Sequence, residues 1–183
     1  MRRWIVGSVA VVAAAGLIVG AVVFQPWLLF VNVAVDDALP PVATAPAPTS
    51  TSPAEPSASP TPAVAVELST GALISHEHDT TGTVSIIENP DGSRVLALEN
   101  LATSSGPDVH VWLASTPVVE GVDGWFLGDD GPVVDLGPIK GNLGNQVYDI
   151  PADVDLSAYP AVYLWCVQFA VSFGAAPLAP AGG

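Results

Sequence analysis

The chain has 183 residues, half of them hydrophobic, with 18 acidic against 4 basic side chains and a formal net charge of −14. The length allows one ordinary domain with accessories. The acidity repels phosphate backbones and excludes nucleic acid as a partner, and the single cysteine excludes an intrachain disulfide.

Arg2 and Arg3 are followed by an uncharged run from Trp4 to Val35, most apolar over Ile5 to Phe24. Those 20 residues match the ~20 that a helix needs to cross a hydrocarbon core. A secretory signal has an apolar core of only ~7–15 residues and a small-x-small cleavage site. Residues 1–35 therefore read as a transmembrane signal-anchor, with a cleaved signal peptide as the alternative. The arginines on one side and Asp36-Asp37 on the other place the N-terminus in the cytoplasm and the remainder outside the plasma membrane. Trp4, Phe24, Trp27 and Phe30 suit the two interfaces, and Pro26 ends or kinks the helix.

Residues 36–66 read as a flexible linker. Leu39 to Pro62 is rich in Pro, Ala, Ser and Thr, and Glu55 is its only charge. Such a tract cannot bury a core, and its prolines favour extended backbone. It suits a spacer that holds a domain off the membrane.

From residue 67 to 180 short apolar runs alternate with turn residues every 8–12 positions, the spacing of an antiparallel β-sandwich or barrel. The strands are predicted at 71–75, 83–88, 95–100, 109–114, 133–136, 146–150, 162–166 and 169–173. Asn89-Pro90-Asp91-Gly92 is the clearest hairpin signal. Thr116 to Gly131 reads as a long glycine-bearing loop around Trp125-Phe126, an aromatic pair suited to plugging the end of the core. Asp153 to Tyr159 fits one helical turn capped by an Asp. The sharpest stretch is Ala161 to Gly174, apolar, uncharged and home to the cysteine. By alternation Val162, Leu164 and Cys166 share one face of a strand, and Tyr163, Trp165 and Val167 the other.

Cys166 carries two readings, a small buried hydrophobe or a redox or ligand thiol. With no second cysteine, thiol–disulfide chemistry of the Cys-x-x-Cys kind is out. His76, His78 and His110 are the only histidines. His78, His110 and Cys166 have the ligand types of a copper or zinc site, although no His follows Cys166 and the only Met is the initiator. His76-Glu77-His78-Asp79 reads equally as a solvated loop. Asp129, Asp130 and Asp135 form no calcium loop. Nucleophile elbow, His-Glu-x-x-His, dinucleotide and phosphate-loop motifs are absent, so nothing in the sequence argues for an enzyme of those classes.

Several ordered motifs resemble the DM-thirteen domain, the "electron transfer DM" family. They are Glu77-His78-Asp79-Thr80-Thr81-Gly82-Thr83, Gly106-Pro107-Asp108-Val109-His110-Val111-Trp112-Leu113, Asp135-Leu136-Gly137-Pro138-Ile139-Lys140-Gly141-Asn142, Gly144-Asn145-Gln146-Val147-Tyr148-Asp149-Ile150-Pro151, Tyr163-Leu164-Trp165-Cys166 and Phe169 to Ala176. Phe24-Gln25-Pro26-Trp27 with Asp36-Asp37-Ala38-Leu39-Pro40 looks like its membrane-anchored actinobacterial members. The resemblance implies an all-β extracytoplasmic domain and a redox role centred on the family's near-invariant cysteine, here Cys166. It implies a redox or envelope protein as partner, and a metal ion or haem supplied by that partner as the cofactor class. The alternative is a non-catalytic cell-envelope module that binds a protein, glycan or small ligand and keeps Cys166 for packing.

Overall fold

The computed structural model describes residues 2–42 and 64–182, with side chains from Val12 onward except at 29 and 30. Helix α1 runs Arg2–Phe24, and a 3-10 turn at Pro26–Phe30 follows it. Gln25 between them takes a left-handed conformation (φ 43°), and the proline at the head of the turn prevents the helix from continuing. Among the described residues no helix is long and apolar enough to cross a membrane.

The rest is all β, in two sheets. The first contains β1 (Ala34–Asp36), β2 (Val66–Ala72), β4 (Thr81–Glu88), β5 (Arg94–Ala102), β8 (Leu143–Ile150) and β11 (Ala179–Pro180), in the order β1-β8-β5-β4-β2-β11. The second contains β3 (Ile74–Ser75), β6 (Val109–Ala114), β7 (Val133–Pro138), β9 (Ala161–Cys166) and β10 (Val171–Pro177), in the order β3-β10-β9-β6-β7. Single residues, Leu73 between β2 and β3 and Leu178 between β10 and β11, carry the chain directly from one sheet to the other. Seven of the eight predicted strands are present, most with shifted ends, the last beginning at Val171 rather than 169, whereas the predicted strand 71–75 is split at Leu73 between β2 and β3 in different sheets. The Asn89–Gly92 hairpin joins β4 to β5, with Gly92 at φ 82° as such a turn requires. Asp155 caps the short turn Leu156–Ala158 by accepting from the Ser157 N–H.

The core lies between the sheets. Val84, Ile86, Leu96 and Leu98 meet Val111, Leu113, Val162 and Leu164, all essentially without solvent exposure. Strand β9 is buried along its whole length on both faces. Its outer residues Ala161, Tyr163 and Trp165 form a second cluster with Ala114 and Ala175, roofed by the loop from Ser115 to Pro132. Gly128 allows that roof to close, because a Cβ there would stand 2.5 Å from the Trp165 ring.

Two features depart from the sequence reading. Residues 34–36, placed there at the end of an anchor and the start of a linker, form β1 and pair in parallel with β8. The side chains explain it. Asp37 accepts from Lys140 Nζ at 2.5 Å and from the Val147 N–H at 3.0 Å. Asp36 accepts from Asn145, and Asn142 accepts from the Val33 N–H at 2.7 Å. The Lys140 contact holds the Asp37 carboxyl below its ordinary pKa. Second, Val42 forms an isolated parallel bridge with Ala65, the residue before β2. The two flanks of the proline-rich stretch thus lie side by side rather than at opposite ends of a spacer. Most of the predicted linker, residues 43–63, lies outside the described residues.

Gly144 makes β1 possible. Its φ is +96°, and a Cβ there would lie 2.0 Å from the Val35 carbonyl oxygen. Gly144→Ala is therefore expected to lower stability by about 1–3 kcal/mol. Hydrogen exchange should show the β1 amides losing protection first; unaltered protection of residues 34–37 would contradict this.

Candidate functional site

The interest concentrates at the end of the sandwich nearest α1, where the β9–β10 turn, the Gly106-Pro107-Asp108 turn, the segment His76–His78 and the Trp125-Phe126 loop converge. Gln168 Nε2 donates to the Val23 carbonyl at 2.7 Å, and Phe169 stacks on Phe24 at 5.6 Å between centroids. Ala170 closes the β9–β10 turn with a left-handed φ of 49°, a conformation that non-glycine residues seldom adopt.

Cys166 ends β9 opposite Val109 and Val171 and is 0% exposed. Its face is the inter-sheet core, as alternation predicts. Burial raises the thiol pKa above its ordinary value. The backbone N–H groups of Phe169, Asp108 and Gln168 pull the other way without overcoming it. The sulfur is thus closed to solvent, with its proton held more tightly than in an ordinary thiol.

The three histidines have three different settings. His76 turns inward, with Nε2 3.1 Å from the Val119 carbonyl and Nδ1 2.8 Å from Ser172 Oγ. A carbonyl only accepts, so Nε2 carries the proton and Nδ1 accepts from the serine hydroxyl. Burial lowers the pKa of His76 and keeps it neutral. It serves as a clamp between β10 and the roof loop, helped by the Trp125 carbonyl accepting from the Ser172 N–H and by the Tyr163 hydroxyl donating to the Pro117 carbonyl.

His78 packs its ring on Phe173, 3.8 Å between centroids, and places Nε2 2.5 Å from Glu77 Oε2. Burial lowers its pKa, against the pull of Glu77 and Asp79. His110 lies on the outer face of β6, opposite Trp165 in register. Its Nδ1 is 2.8 Å from Asp135 Oδ2 and its Nε2 is 3.1 Å from Asp108 Oδ1. Both partners are carboxylates, so both ring nitrogens donate and the ring is an imidazolium. Burial opposes that charge, but Asp135 and then Asp108 outweigh it and raise the pKa.

Cys166 and His110 therefore occupy opposite faces of the sheet, and His78 stands apart on the His76–His78 segment. Among the described residues no three His, Cys, Asp or Glu side chains are grouped to hold a metal ion.

Instead these elements enclose a cavity of about 540 Å³, lined by Phe126, Phe169, Phe173 and Trp125, by Phe24 and Leu28 from the helix end, and by Glu77 and His78. Gly106 permits one wall, since a Cβ there would meet the Phe173 ring at 2.6 Å. Cys166 is not part of the lining but is its immediate neighbour: Val171, a lining residue, pairs with it, and Phe169 follows three residues later. Trp125 packs against the main core, as the plug reading expects, whereas Phe126 remains 55% exposed at the cavity mouth. Of the polar groups here, Asp108 and Asp135 drew no attention in the sequence as partners of His110. Asp108 is two residues away on the same strand side; the Asp135 contact spans 25 residues and shows only in register.

A two-sheet β-sandwich with a sealed thiol beside an aromatic cavity defines the class. The chain belongs to the Electron transfer DM13 family, whose profile matches residues 72–178. The resemblance read from the motifs is borne out over that span. No curated protein and no solved structure matches the chain.

The imidazolium of His110 has a pH signature. Its folded pKa lies above the unfolded value of ~6.5. The stability it contributes is therefore fully present below pH ~6.5 and is lost as pH rises through the folded pKa. His110→Ala should cost more stability at pH 5 than at pH 9. Ring titration by NMR should place His110 above 6.5 and His76 and His78 below it; the reverse order would contradict the ion-pair geometry.

Proposed function

We propose that the protein is a membrane-tethered, extracytoplasmic electron-transfer module centred on Cys166, which works beside a metal or haem carried by a partner protein. The observation that carries the reading is the family match over residues 72–178 of the sandwich. The tether is supported by the sequence, which carries no charge between Arg3 and Asp36. The arginines at its start favour a cytoplasmic N-terminus. A partner-borne redox group is supported by the scatter of His78, His110 and Cys166. The sulfur's burial and raised pKa argue against mixed-disulfide exchange, which needs an exposed thiolate. They leave a role at short range through the packed wall that separates it from the cavity.

The second reading, an envelope module that binds a protein, glycan or small ligand, is favoured by the same burial, which suits a cysteine kept for packing.

The two separate on the full chain extracted from its native membrane. Under both, alkylation should find no reactive thiol in the folded protein and one after denaturation. Under both, Cys166→Ala should lower stability by roughly 1–3 kcal/mol. Only the redox reading expects a metal- or haem-bearing partner protein to co-purify with the wild type and its electron transfer to slow with Cys166→Ala. A colourless, metal-free preparation whose variant merely unfolds earlier hands the domain to the binding reading. For the tether, the chain should resist carbonate extraction and residues 64–182 should be open to protease from outside; release into the supernatant would sink it.

A further inference from the structure

The cavity beside Cys166 combines features that select a ligand. Its volume of about 540 Å³ is in the range of small-molecule sites, ~300–1,000 Å³. Its mouth is bare aromatic surface, with Phe126 55% and Phe169 39% exposed. Its polar edge is the Glu77–His78 pair, in which the imidazole is bound to one carboxylate oxygen and the rest of that carboxylate remains able to accept. No lysine or arginine lines it. The two basic residues of the sandwich are engaged elsewhere, Arg94 on the carbonyls of Pro151 and Ala152 and Lys140 on Asp37. A phosphate headgroup would therefore meet a carboxylate with no countercharge, so the chemistry calls for a neutral ligand. Flat aromatic walls favour a ring over a bare acyl chain. An acceptor-only carboxylate at the edge favours a ring that carries a hydroxyl. Phe24, Pro26 and Leu28 form the wall on the side of α1, so an apolar tail can leave toward the helix.

We propose that this cavity binds the ring of an isoprenoid quinol, stacked on Phe126 and Phe169 and donating a hydroxyl to Glu77, with its tail running along the outer end of α1. The assignment of the lipid phase as the source rests on the membrane tether proposed above; the ring site itself does not. The reduced ring is preferred to the quinone, because a quinone offers only acceptors to Glu77.

The test is a tryptophan-quenching titration of the detergent-solubilised full chain with a naphthoquinol bearing one isoprene unit, kept reduced under argon. Decanol, a sterol and phosphatidylglycerol serve as comparison ligands. Saturable quenching is expected for the quinol, weaker for the matching quinone, and strongly reduced with Trp125→Phe. Both Phe126 and Glu77 are solvent-facing, so their variants should fold with unchanged melting temperature. Phe126→Ala should weaken binding about 5-fold and Glu77→Gln roughly 10-fold. Absence of saturation, equal binding of decanol, the sterol or phosphatidylglycerol, or unchanged affinity in both variants would overturn the proposal. If the chain washes off membranes in carbonate yet binds quinol, only the tether falls; if it resists carbonate and binds none, only the pocket does.

Discussion

A strand buried on both faces must be covered twice, and β9 imposes that demand on the whole domain. Its inner residues Val162, Leu164 and Cys166 are covered by the opposite sheet. Its outer residues Tyr163 and Trp165 would otherwise leave a large aromatic surface in water, at a cost of about 25 cal/mol per Å². The loop 115–132 supplies the second cover. Because a loop has no ladder of its own, it is held from outside: by the His76 and Tyr163 side chains on the Val119 and Pro117 carbonyls, and by the Ser172 backbone N–H on the Trp125 carbonyl. Fastening the roof in this way delivers Trp125 and Phe126 to the end of the sandwich. The aromatic cavity is thus a by-product of hiding the back of one strand.

The same dependence separates what was legible in the sequence from what was not. Strand positions, the Asn89–Gly92 hairpin and the two faces of β9 follow from local periodicity and turn chemistry, and these were readable. Strand β1 was not. Ala34-Val35-Asp36 is too short to show alternation, and it closes an apolar run that reads as anchor. What makes it a strand is a set of polar ties to Lys140, Asn142, Asn145 and Val147, more than 100 residues away. The clamp on His110 was hidden for the same reason, since Asp135 reaches it only through the pairing of β6 with β7. His76 and His78 are two residues apart yet have different settings, because the segment is clipped by its N–H groups to the Phe173 and Ser172 carbonyls rather than extended as a strand.

The site shows how burial and chemistry compete at one sulfur. Backbone groups at Phe169, Asp108 and Gln168 favour the thiolate, yet desolvation outweighs them and raises the thiol pKa. A thiol of that kind is protected from oxidation in an oxidising compartment, where an exposed partnerless cysteine would be a liability. The family's redox association and the quiet chemistry of this thiol are compatible if the sulfur acts across the Val171 wall.

The bridge between Val42 and Ala65 has a consequence for a chain broken between them. A break on the C-terminal side of residue 42 and ahead of residue 64 severs the backbone while β1 stays hydrogen-bonded to β8 and Asp37 stays paired with Lys140. The nicked protein would remain a two-piece complex, its fragments parting only in denaturing gels.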